Sequence, residues 1–262
     1  MKVRLMALPL AVAAAALVVT GVVSAGSTRK AAKKPPNAAI LVALISDIGH
    51  FDDRSFNQSQ LEGLKRAKAK LKVRILPLQS NSTSDYKPNL NQAVQQKSNL
   101  IISAGFLLAG DTNTVAQKFP NIHFAITDYD VTGAPFNGRK NVEGLTYAAN
   151  ESGCLVGYLA AKVAKKLTKK GKKVVIGAVG GLKIPPVDIW IAGYRFCAKK
   201  AVPGTQVLIA YSGDFTKADL CKTVAENQIG QGAEVVFQVA GLCGLGTLKA
   251  ADEAELERVL AN

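Results

Sequence analysis

Asp47, Phe56 and Asn57 share one short stretch, "SDIGHFDDRSFNQSQ" (residues 46–60), which follows the apolar run "ILVALI". An ionised carboxylate only accepts hydrogen bonds, whereas an asparagine amide both donates and accepts. An aromatic ring adds a flat apolar face. Together the three suit a planar ligand with apolar faces and a polar rim. A heterocyclic base meets that description more fully than a simple sugar. The plainer alternative puts Phe56 in the core and uses Asn57 as a helix cap. Asp52 and Asp53 precede the helical pattern "SFNQSQLEGLKRAKAKL" and read as its acidic start, worth roughly 0.3–1 kcal/mol each at a helix N-terminus. A calcium loop needs oxygen ligands at alternating positions and a closing glutamate, which this spacing does not give.

Other chemistry is thinly represented. There is no G-x-S-x-G, and the only histidines are His50 and His123. His123 falls inside the apolar run "IHFAI" and reads as a packed core or edge residue, while His50 has no evident nucleophile partner. These residues give no basis for an enzyme or a cofactor. "GLCGLG" (Gly241–Gly246) matches neither dinucleotide nor Walker spacing. It fits a strand-to-helix turn whose N–H groups could face a polar ligand, or an ordinary tight turn. Cys154, Cys197, Cys221 and Cys243 show no C-x-x-C spacing. They are open to two bridges in any of three connectivities, or to buried free thiols.

The elements that must position these residues are legible as apolar periodicity. Short Val/Ile/Leu-rich runs ("AILVALIS", "VRILPLQ", "NLIISAG", "HFAITD", "NVEGLTY", "KKVVIGAVG", "TQVLIAYSG", "AEVVFQVAG") alternate with helical patterns near 55–71, 87–97, 111–118, 151–168, 187–200, 216–231 and 246–260. Continuous apolar runs predict strands covered on both faces, and the alternation predicts right-handed βαβ units in parallel sheets. Many strand ends carry Gly, Asp or Ser, at the sheet edge where α/β folds bind ligands. The pattern breaks near residues 145–152 after five strands. Two α/β lobes are therefore expected, 38–147 and 148–262, with a cleft between them.

The N-terminus departs from this pattern. "MKVR", the apolar stretch 5–23 and the small residues of "VSAGS" read as a signal peptide over 1–25, with an uncleaved anchor as the alternative. No cysteine near the cleavage site offers a lipid acceptor, and 26–37 forms a basic linker. Export to the periplasm or cell surface would let disulfides persist. The net charge of +14 gathers in that linker and in "KVAKKLTKKGKK" (162–173). The lysines close a helix and carry no interleaved aromatics, which argues for a solvated face and against nucleic acid as a partner.

"DIGHFDDRSFNQSQLEGLKRA" resembles the hallmark segment of the basic membrane protein family, solute-binding proteins of ABC transporters related to purine nucleoside receptors of the PnrA type. The similarity runs on through "IISAGFLLAGDTNTVAQKFPNIHFAITD", "NVEGLTYAANESGCLVGYLAA", "GGLKIPPVDIWIAGYRFCAKK" and "GAEVVFQVAGLCGLGTLKAA", spanning residues 40–251. The resemblance implies a type I periplasmic binding protein fold of two Rossmann-like lobes and no catalysis. It implies a nucleoside ligand and an ABC permease and ATPase as partners. The membrane would be met only through that transporter or an uncleaved N-terminal segment. It assigns Asp47 and Asn57 to the base edge, Phe56 to one face of the base and Trp190 to the opposite wall. It gives Asp128 to the ribose hydroxyls, with Gly105, Phe106 and the Gly241–Gly246 turn lining the cleft. His50, Phe51, Cys154 and Cys243 depart from the family pattern, His50 and Phe51 near the expected ligand mouth. The family also continues beyond "GTLKAADEAELERVLAN" with another strand and a ribose-holding lysine. Another small solute, or a shortened remnant acting in surface adhesion, stands as the alternative function.

Overall fold

The computed structural model describes residues 40–260, with side chains as far as Glu255. The expected signal peptide (1–25) and linker (26–37) lie outside the described residues. None of the described helices is long and apolar enough to cross a membrane.

The first sheet contains β1 (Leu41–Ile45), β2 (Arg74–Leu78), β3 (Leu100–Ser103), β4 (His123–Thr127) and β5 (Val142–Leu145), all parallel, in the order β2-β1-β3-β4-β5. The second contains β6 (Val175–Gly180), β7 (Gln206–Tyr211) and β8 (Val236–Val239), also parallel, in the order β7-β6-β8. The helices α1 (Phe56–Leu71), α2 (Tyr86–Gln95), α3 (Ala109–Lys118), α4 (Ala149–Leu167), α5 (Pro185–Ala201), α6 (Ala218–Gly230) and α7 (Gly244–Leu260) alternate with the strands. This is the expected α/β architecture, with each element within a few residues of its apolar pattern. In both sheets the chain leaves the first strand to one side and returns on the other. A switch point therefore opens between β1 and β3, and a second between β6 and β8, where strand ends leave a crevice for a ligand.

Burial follows strand position. Every residue of β1 and β6 is buried, as a central strand covered on both faces requires. Ala43 and Ile45 pack with Leu90, Ile101, Leu108 and Phe124, while Val42 and Leu44 point to the opposite face with Leu64 and Ala104. The expectation of two-sided cover fails at the edges: β2, β7 and β8 are only half-buried, each having, among the described residues, a neighbouring strand on one flank alone. Pro77 sits in edge strand β2, where its missing N–H costs no ladder bond. His123 is exposed at the start of β4 rather than packed in the core, since the strand enters the buried layer only at Phe124. The lysines of 162–173 are all exposed, as a solvated face would be.

Two disulfides fix the second half. Cys154 of α4 bonds Cys197 of α5, and Cys221 of α6 bonds Cys243 in the turn before α7. Close packing already joins α4 to α5. A Cβ at Gly153 would collide with the Trp190 carbonyl oxygen, and one at Gly157 with that of Tyr194.

Candidate functional site

The carboxyl ends of both sheets surround a single cavity of about 600 Å³. On the first-sheet side, Asp47 lies two residues beyond β1 and is 7% exposed, its carboxylate held from within the protein. Its Oδ1 accepts from the Gly49 amide (2.8 Å) and from Asn57 Nδ2 (2.7 Å). Asn57 Nδ2 also donates to Asp53 Oδ2 (3.1 Å), and Asn57 Oδ1 accepts from the Asp47 amide (3.3 Å). The Asn57 amide thus has both donors and one acceptor site engaged, and Asp47 Oδ2 is the oxygen left facing Gly105 and the cavity. Burial raises the Asp47 pKa, and the negative charge of Asp53 adds to that; the Gly49 and Asn57 hydrogen bonds oppose it.

Asp53 explains how α1 begins. Ser55, next to the first helical residue, makes no side-chain cap. The buried Asp53 carboxylate instead accepts from the amides of Ser55 (2.9 Å), Asn57 (2.9 Å) and Gln58 (3.0 Å). The acidic start expected of the Asp52-Asp53 pair is therefore supplied by Asp53, while Asp52 is exposed. Because α1 starts under this carboxylate, Phe56 projects from its first turn into the cavity wall. Phe106 follows β3 in a short 3-10 turn (Phe106–Leu108) and is backed by the stacked ring of Tyr129, 5.0 Å away.

Asp128 caps the end of β4 in a left-handed conformation (φ 58°), its amide bonded to the Leu145 carbonyl at 2.8 Å. Desolvation, reinforced by the charge of Asp47, pushes its carboxyl up to about 6. Tyr147, just beyond β5, shares this corner. Three carboxyls thus line the cavity, and because Asp53 is engaged by the start of α1 and by Asn57, Asp47 and Asp128 are the two that can meet one ligand. Among the described residues no group of three or more His, Cys, Asp or Glu side chains is placed to hold a metal ion.

The second-sheet side is aromatic too. Trp190 projects from α5 and meets Phe237 of β8 at 6.5 Å, and Phe237 stacks on Tyr194 at 5.1 Å. Phe215, after β7, and Gly241, after β8, complete this wall. Gly241 has φ 55°, and a Cβ there would stand 4.0 Å from Asp53 Oδ2, so the turn before α7 reaches across to the start of α1.

All eight residues singled out by the sequence, Asp47, Phe56, Asn57, Gly105, Phe106, Asp128, Trp190 and Gly241, line this one cavity. His50 and Phe51 do not; Phe51 packs beneath the sheet with Val42 and Leu44. Phe237, Phe215, Gln60 and Tyr147 line the cavity without having been singled out. Phe215 follows the "SGD" strand end, a signal of the kind that marked the other turns. Phe237 lies inside an apolar strand run and carried none.

The Bmp family model, described as ABC transporter substrate-binding protein PnrA-like, matches residues 40–260. The CD4+ T-cell-stimulating antigen of Listeria innocua is 35% identical over 252 residues, which cover 94% of this chain and 67% of that protein. The ABC transporter nucleoside-binding protein BmpA of Lactococcus lactis is 37% identical over 213 residues, covering 80% of this chain and 57% of its own length. A crystal structure of an ABC transporter system solute-binding protein from Aeropyrum pernix superposes with a TM-score of 0.76 at 28% identity, covering 83% of this chain and 60% of that one. The chain thus spans 57% to 67% of the length of these relatives.

Proposed function

Since the chain belongs to the PnrA-like family of ABC transporter substrate-binding proteins, we propose that its cavity binds a nucleoside for import and carries out no catalysis. One observation carries this reading: a single cavity places two carboxyls, Asp47 and Asp128, among the aromatic side chains Phe56, Phe106, Trp190 and Phe237. Its volume of about 600 Å³ falls within the range of small-molecule sites, about 300–1,000 Å³. A base would lie between Phe56 and Trp190 with its N–H edge toward Asp47 Oδ2. The hydroxyls of the sugar would meet the Asp128 carboxylate. A charged acceptor and a hydroxyl form the stronger kind of hydrogen bond. The name of the Lactococcus relative supports the ligand class.

In this reading 38–147 and 148–262 act as two lobes that close on the ligand, a hinge-type transition. The exported protein, once loaded, delivers its ligand to an ABC permease and its ATPase. Isothermal calorimetry against purine and pyrimidine nucleosides, free bases and pentoses tests the assignment. Saturable nucleoside binding that weakens in Phe56→Ala is the expected result. A folded preparation that binds no nucleoside, or binds equally well after Phe56→Ala, overturns it.

A further inference from the structure

We propose that Asp53 is a positioning residue for the ligand site, acting through the side-chain amide of Asn57 to aim the carboxylate of Asp47. The proposal rests on the reading of the cavity as a nucleoside site, but its central contact is independent of any ligand. Asp53 is 1% exposed and uses its two oxygens differently. Oδ1 accepts from the Ser55 and Gln58 amides at 2.9 and 3.0 Å, which holds the first turn of α1. Oδ2 accepts from the Asn57 backbone amide at 2.9 Å and from Asn57 Nδ2 at 3.1 Å. The second bond sets the rotation of the Asn57 side chain.

With that rotation set, the Asn57 amide grips Asp47 at two points. Nδ2 reaches Asp47 Oδ1 at 2.7 Å, and Oδ1 receives the Asp47 amide at 3.3 Å. The Gly49 amide completes the hold on Asp47 Oδ1 at 2.8 Å. Asp47 cannot turn without breaking this set, so Oδ2 stays directed at the cavity. Buried carboxylates facing one amide also leave it a single satisfactory orientation, because an inverted amide would set its oxygen against two anions. Asn57, expected from the sequence to touch the ligand, thus orients the group that does. Asp53 holds Asn57 in turn.

Asp53→Ser separates the two roles of Asp53. A serine hydroxyl can still accept from the amides of the following turn but is too short to reach Asn57 Nδ2. The variant is expected to fold with a nucleoside affinity at least tenfold weaker. Added to Asn57→Ala it should cause no further loss, because both changes release the same carboxylate. Asp53→Asn, which keeps the shape and one backbone acceptor, serves if the serine variant fails to fold. NMR provides the ligand-free reading: the Asn57 side-chain amide protons should exchange slowly in the wild-type protein and faster in either variant. Undiminished affinity in Asp53→Ser, full additivity with Asn57→Ala, or freely exchanging Asn57 amide protons in the wild type would each overturn the proposal. Absence of nucleoside binding by the wild type would instead overturn the assigned function, and the amide exchange would still decide the role of Asp53.

Discussion

Gly105 presents a bare Cα to the ring of Phe56: a Cβ built there would stand 3.1 Å from Phe56 Cε1 and 3.3 Å from Asp47 Oδ2. Its φ of 107° lies where side chains are disfavoured. Gly105→Ala is therefore expected to destabilise the protein by about 1–3 kcal/mol, the range for a strained backbone position. It should also displace Phe56 and weaken nucleoside binding. Denaturant unfolding and calorimetry on the same preparation would read both effects, and an unchanged affinity would detach Gly105 from the site.

Phe56 of α1 and Trp190 of α5 line the cavity from the first-sheet and second-sheet sides. Stacking on a base is worth about 1–3 kcal/mol by alanine substitution, so Phe56→Ala should weaken nucleoside binding by roughly five- to 150-fold. Trp190→Phe keeps an aromatic face and should lose less than Trp190→Ala. An equal loss in both would mean that Trp190 acts through its packing on Phe237.

Asp128 supplies the pH dependence. Its carboxyl stands at about 6, raised chiefly by desolvation and further by Asp47. An unfolded aspartate titrates near 3.9, so the folded chain holds the extra proton between these values. The stabilising contribution of this group is present below the unfolded value and lost as pH rises through 6. Asp128→Asn should accordingly raise the melting temperature above pH 7 and change it little below pH 4. Ligand binding should run the other way, weakening in wild type as pH falls through 6 because the protonated acid is a poorer acceptor. That limb should vanish in Asp128→Asn, leaving the acid limb of Asp47.

The Cys221–Cys243 bond closes a separation of 22 residues. Chain-entropy reasoning gives a loop of this size about 3 kcal/mol. The double variant Cys221→Ser/Cys243→Ser should lose stability on that order by denaturant unfolding. Since Cys243 lies two residues from Gly241, it should also loosen ligand binding, which calorimetry would show.

Much of this arrangement is legible in the sequence because it rests on local chemistry. Apolar runs such as "ILVALI" have few ways to be buried other than as central strands, and the polar residue ending such a run falls on the ligand edge by topology alone. Asp47, Gly105 and Asp128 are found in that way. What stays hidden depends on partners distant in sequence or on shared atoms. The engagement of the Asn57 amide follows from Asp47 and Asp53 converging on one nitrogen, which spacing does not encode. Phe237 looks like core because it packs on Tyr194 as well as lining the cavity. The cysteine pairing is set by the packing of α4 on α5 and of α6 on the turn before α7, which sequence spacing leaves open. The exposure of His123 and of the outer strands depends on strand order.

The contact between α4 and α5 has a mechanical consequence. Glycines at 153 and 157 bring the two backbones together, and Cys154–Cys197 rivets them. Trp190 stands on the inner helix of this pair, and α4 begins at Ala149, directly after the chain leaves the first sheet. In the proposed two-lobe reading, the two helices carry Trp190 as one stiff unit, joined to the first sheet through residues 146–148. Closure of the lobes on a ligand would then move the indole in one piece with both helices, with no slack taken up between them.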